Sequence, residues 1–202
     1  MNTRRVLFVR IADMKYYRGI TNSDKAYNGG SFVKETGYAN ECFNFLPILE
    51  NDKQICIGYT MLIGNFGRNC PSIHIENIRG CKSYKNANYV DGVTVVFCSR
   101  SKEKNSMSVC GFYKNARVWR YPERMEFDDK GNIFQDFNFE ANVEDCVLLP
   151  KEERLYNDEW EVPAGKLGRS SIWFAADDTE YADKVLSSIN NYNGINWITK
   201  EV

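Results

Sequence analysis

One histidine, His74, serves all 202 residues, and that scarcity excludes more chemistry than any motif present adds. Zinc clusters need several His or Cys ligands at short spacing, and no Cys-x-x-Cys occurs anywhere in the chain. A Ser-His-Asp triad would have to draw on His74, and no Gly-x-Ser-x-Gly elbow accompanies it. A His-dependent nuclease would lack a second histidine. His74 itself lies in the alternating run Ser72-Ile73-His74-Ile75, where a structural role is the natural reading. No apolar run approaches the ~18 residues of a membrane span. The opening has Arg4 and Arg5, but its apolar stretch ends at Arg10 and no small-residue cleavage pattern follows, so neither a signal peptide nor a membrane partner is expected.

The cysteines are seven, an odd number, widely spaced, and several stand inside apolar runs as small hydrophobes. They argue against a disulfide framework and for a reducing, cytoplasmic compartment. Carboxylates occur as adjacent pairs, Asp128-Asp129, Glu144-Asp145 and Glu152-Glu153. Neighbours on a strand point to opposite faces, so these pairs read as solvated loops rather than metal sites. No catalytic residue, metal or cofactor is expected.

What is present is enough for a packed core: 43% hydrophobic and 14% aromatic residues. Alanine is scarce, while Tyr, Phe, Val, Ile and Asn are plentiful, which favours strands and turns. Strands are expected over 5–11, 54–62, 73–78, 92–99, 107–120, 132–139, 143–149 and 171–175. One helix is expected after Asp177, capped by it, with Glu180 in the capping-box position and Ala182, Val185, Leu186 and Ile189 as its apolar stripe. Asn193-Gly194 supplies its stop. With no linker or repeat, residues 1–202 read as one α+β domain built on a small, curved sheet or barrel.

Charge is unevenly spread. Residues 79–124 carry ten basic side chains against three acids, and residues 125–161 carry three against twelve. The basic region is a candidate polyanion surface; the alternative is a set of solvated, charged loops. The loop Tyr27-Asn28-Gly29-Gly30-Ser31 could bring backbone N–H groups to an anion or base edge, or could be a plain surface loop.

The richest stretch is Gly111-Phe112-Tyr113-Lys114-Asn115-Ala116-Arg117-Val118-Trp119-Arg120. Regular alternation would put Tyr113, Asn115, Arg117 and Trp119 on one face, which reads as a wet, functional side. Phe112, Lys114, Ala116, Val118 and Arg120 would take the other. The competing reading for each aromatic is core packing. Trp173 could belong to an ordinary buried strand, and Trp160 and Trp197 read as packing or docking residues.

Several segments together resemble a known family. They are the run from Arg10 to Gly19, Gly29-Gly30-Ser31-Phe32, Gly37-Tyr38-Ala39-Asn40-Glu41 with Asn44-Phe45, the 111–120 stretch, Leu148-Leu149-Pro150 with Arg154, and Gly168 to Phe174. The pattern resembles a bacterial PUA-like (EVE/YTH-like) domain family associated with HNH-type and other modification-dependent restriction endonucleases. The resemblance covers nearly the whole chain. It implies a curved, barrel-like sheet with flanking helices and an aromatic cage for a flipped, often modified, base. By that resemblance Tyr113 or Trp119 and Trp173 form the cage, with Tyr16 and Tyr17 next. Asn115 and Ser31 read base edges, and Arg117, Arg120 and Lys114 meet phosphates. Two positions depart from the family pattern: Phe112 stands where Trp is expected, and Asn40 where His precedes Glu. The expected function is therefore a non-catalytic reader of a modified base in DNA, more than in RNA, within a restriction or antiviral defence system. No nuclease segment is expected after the helix, so the chain is expected either to act alone or to work with a separately encoded nuclease. The alternatives are a metal-dependent nuclease and a protein–protein adaptor for such a nuclease.

Overall fold

The structure, a computed structural model, describes residues 5–28, 39–62, 71–126, 134–168 and 170–199. Among them it is α+β, with one large sheet and two α-helices. The strands are β1 Val6–Ile11, β2 Ile48–Glu50, β3 Lys53–Gly58, β4 Tyr89–Arg100, β5 Met107–Glu126, β6 Phe134–Asn142, β7 Cys146–Leu148 and β8 Ile172–Trp173. Their order is β2-β3-β6-β5-β4-β1-β8, and β7 also pairs with β5. Only β1 and β4 run parallel; the other pairings are antiparallel. The helices are α1 Lys151–Tyr156 and α2 Thr179–Asn191.

Strand β5 organises the sheet. It pairs with β4 along most of its 20 residues, with β7 at Gly111–Tyr113 and with β6 beyond Arg117. Gly111 is required there: a Cβ would lie 2.5 Å from the Phe45 ring and 2.6 Å from the Val147 carbonyl oxygen. One face of the sheet buries Leu7, Val9, Val95, Phe97, Tyr113 and Phe139 beneath the connecting segments. The opposite face buries Phe8, Val96, Val109 and Phe112 against α2. The helix presents the expected stripe of Ala182, Val185, Leu186 and Ile189. Full burial of an aliphatic side chain of this size is worth ~1.5–3 kcal/mol, so packing rather than helix propensity holds α2 in place.

Three local expectations are corrected. Residues 73–78 are not a strand but a turn with a 3₁₀ helix at Ile75–Asn77. Ile73, Ile75 and Ile78 all enter the same core, which alternation along a strand does not allow for Ile75 and Ile78 together. The cap of α2 is Asp178, which accepts the Tyr181 N–H at 3.2 Å. Asp177 is instead bound by the Trp173 indole N–H at 2.7 Å and by Lys166 at 2.8 Å. Residues 143–145 form a 3₁₀ turn, so the strand there shrinks to β7. The six described cysteines are buried. Among the described residues no helix is long and apolar enough to cross a membrane.

Candidate functional site

The expected wet face of the 111–120 strand does not exist as a single face. Strand β5 carries an extra residue between the pairs Val95–Tyr113 and Val93–Ala116, and another between Phe97–Gly111 and Cys98–Val109. Each bulge shifts the alternation by one residue. As a result Tyr113 shares the core face with Ala116 and Val118, while Arg117 and Trp119 point the other way. Asn115 is the exposed bulge residue, with φ +51° and its amide donating to Asp145 at 3.3 Å.

Tyr113 is fully buried, and its hydroxyl donates to the Asn44 carbonyl and, at 3.3 Å, to that of Ile57. Tyr17 is buried as well; its hydroxyl donates to the Ala12 carbonyl at 2.8 Å and accepts the Met14 N–H at 3.1 Å. Burial pushes both phenols well above their ordinary pKa. These two rings are core residues, not cage walls. Trp173 stacks with Tyr181 at 5.8 Å and packs on Phe8 at 4.9 Å, only 8% exposed. Tyr16 is half-buried against Trp197, 5.2 Å between ring centroids. Its turn is fixed by the Asp24 carboxylate, which accepts the N–H groups of Lys15, Tyr16 and Tyr17. Ser31 lies outside the described residues.

The two arginines are already occupied. Arg117 grips Asp91 with two bonds, at 2.7 and 3.2 Å, and lies over the Tyr89 ring at 4.2 Å. Its pKa is raised, first by the Asp91 hydrogen bond. Beside it, burial above all lifts the pKa of Glu140, against the pull of Arg117. Arg120 pairs with Glu76 at 2.8 Å and donates to the carbonyls of Ala87, Tyr84 and Lys85, each at 2.9 Å. It is a clamp on the 76–87 segment. Lys114 is partly exposed on β5.

That clamped segment forms one wall of a cleft of about 650 Å³. The opposite wall is the corner between β8 and α2. Buried Val6, Ile78, Ala175 and Ala182 make the floor, with Phe174 partly exposed beside them. Lys82, Lys85 and Ala176 lie on the exposed rim, and Glu76, Asn77 and Thr179 add polar groups. Arg79 ties the walls together through Asp183 on α2, at 2.7 Å. Arg5 stacks on Tyr84 at 5.3 Å, adding a further cation at this end. His74 is exposed, with Nδ1 3.1 Å from Glu76, as a neighbour of this wall.

The site was only partly visible in the sequence. Arg79, Lys82 and Lys85 open the basic region, which was a usable signal. The apolar floor was not readable, because Val6 and Ala175 are more than 160 residues apart in the chain. Among the described residues no group of three His, Cys, Asp or Glu side chains could hold a metal ion. Compared with protein-family models, with curated proteins and with solved structures, the chain matches none.

Proposed function

We propose that this chain is a non-catalytic nucleic-acid-binding domain, and that it binds through the end of the molecule carrying Arg5, Lys82 and Lys85. The observation that carries the reading is a cationic rim around an apolar-floored cleft. Neither Lys82 nor Lys85 makes an ion pair among the described residues, whereas Arg117 and Arg120 are held by Asp91 and Glu76. Free lysines can neutralise phosphates and release counterions; paired arginines would first have to break an ion pair. The finer parts of the proposal rest on the sequence resemblance: a PUA-like architecture, a modified base in DNA, a cytoplasmic restriction or defence setting and a separately encoded nuclease.

Fluorescence anisotropy with labelled single- and double-stranded oligonucleotides at 50–200 mM salt tests it. Each phosphate contact contributes about 0.9 to the salt slope on duplex DNA, so K82E/K85E should flatten the slope and weaken binding at least tenfold. Lys53→Glu, at the far side of the sheet on β3, should leave binding unchanged. Absence of binding to every oligonucleotide at 50 mM salt would sink the reading. Oligonucleotides with methylated and unmethylated bases test the modified-base part separately.

A further inference from the structure

We infer that the cleft between the 76–87 segment and the start of α2 seats one nucleoside phosphate unit, either a free nucleotide or a unit of a strand. This deepens the nucleic-acid reading above and rests on it. Three kinds of surface meet in the cleft, and each excludes a different occupant. The floor of Val6, Ile78, Ala175 and Ala182, beside Phe174, would be wasted on inorganic phosphate or any small polyanion. The rim lysines Lys82 and Lys85 would be wasted on a neutral apolar ligand. The Asn77 amide and the Thr179 hydroxyl, both on exposed residues lining the cleft, would be left without partners by an acyl chain. A nucleoside phosphate uses all three: a flat heterocycle on the apolar floor, polar edges toward Asn77 and Thr179, and the phosphate against the lysines. The volume of about 650 Å³ falls inside the ~300–1,000 Å³ range of small-molecule sites.

Charge also orients the occupant. Glu76, on the same wall as the lysines, has its charge offset by the ion pair with Arg120 at 2.8 Å. The start of α2 is acidic, with Asp177, Asp178 and Glu180. Phosphate is therefore turned away from α2 and toward Lys82 and Lys85. Arg120 is a positioning residue for this site. It meets the cleft lining at Glu76 and the Lys85 carbonyl, and so fixes the wall that carries both lysines.

The test is an amide-resolved NMR titration with four probes: deoxyadenosine 5′-monophosphate, a single-stranded deoxyhexanucleotide, inorganic phosphate and octanoate. Variants are A176W, which fills the mouth from an exposed position, and K82E/K85E, also at exposed positions and therefore safe for folding. The expected result is saturable shifts at Asn77, Ala176 and Thr179 with the mononucleotide, weakened at least tenfold in both variants, with phosphate and octanoate not saturating. Hexanucleotide shifts at the same amides would identify strands as a source of the unit. Mononucleotide binding without oligonucleotide binding would keep the cleft and overturn the polymer reading. Oligonucleotide binding that survives A176W, with no mononucleotide binding, would overturn the cleft and keep the polymer reading. Octanoate binding more tightly than the nucleotide would overturn the assignment, and no binding of any probe would overturn both.

Discussion

The hydroxyl of Tyr113 distinguishes that side chain from a phenylalanine in the core. It supplies a donor to the Asn44 and Ile57 carbonyls, and removing a donor from buried acceptors costs ~1–3 kcal/mol. Tyr113→Phe should lose about that much in urea denaturation, with oligonucleotide affinity unchanged; a selective fall in affinity would return Tyr113 to the binding surface. Asn115 holds φ +51° in the bulge. A β-branched residue there meets the left-handed penalty of about 1–2 kcal/mol, so Asn115→Val should destabilise by that order, again read in urea. Glu41 gives a pH test. Burial raises its pKa, against the hydrogen bonds of its own and the Met61 backbone N–H and the pull of Arg10. A raised acid is favoured in its neutral form in the fold. Its contribution is therefore complete below the unfolded value, ~4.3, and is lost as pH rises through the folded value. Glu41→Gln should gain on the wild type as pH increases; a pH-independent difference between their urea midpoints would refute this. The aromatic and basic composition of 111–120 was legible as unusual, but burial of Tyr113 was not, because a bulge leaves no clear mark in sequence.

At the level of elements, α2 was the most readable part, since four apolar residues at helical spacing admit one face. Its start was off by one residue because Asp177 and Asp178 are both competent caps, and the choice is made by tertiary partners. Trp173 and Lys166 claim Asp177, leaving Asp178 for the helix. Asp178→Ala should cost ~1 kcal/mol as a lost N-cap, checked by chemical denaturation followed at 222 nm. Helix α1 was missed, being only six residues long with no stripe to detect. Its Arg154 is buried and donates to the carbonyls of Leu149, Met14 and Lys15 at 2.8, 2.8 and 3.0 Å. This one side chain joins α1 to the Asp24-braced turn. Arg154→Met would strand three carbonyls, at ~1–3 kcal/mol each where water cannot reach, and should lower the urea midpoint more than any other substitution named here.

Across the whole molecule, linear charge was a fair guide to where cations are and a poor guide to which are available. The basic region places Lys82 and Lys85 at one end of β4 and Arg100, Lys102 and Lys104 at the other. The first group lines the apolar-floored cleft. Arg117 and Arg120, the arginines that made the 111–120 stretch stand out, hold the sheet and the cleft wall. The α+β class was legible from strand and helix patterning, whereas the joining of Val6, the 76–87 segment and the start of α2 into one cleft depends on sheet order. Parallel pairing of β1 with β4, distant in sequence, could not be read from any local signal.

The two bulges of β5 against β4 have a consequence for how this chain can change. Like a pair of compensating frameshifts, they put only residues 111–114 out of phase and restore the original parity beyond Asn115. Losing one of the extra residues would exchange inside for outside along everything downstream, from Ala116 to Val118, where a substitution alters a single contact. Length is therefore the guarded property of this strand. Substitutions at the partly exposed Lys114 should be tolerated while the residue count between Val109 and Val118 stays fixed, a pattern that deep mutational scanning with single-residue deletions would expose.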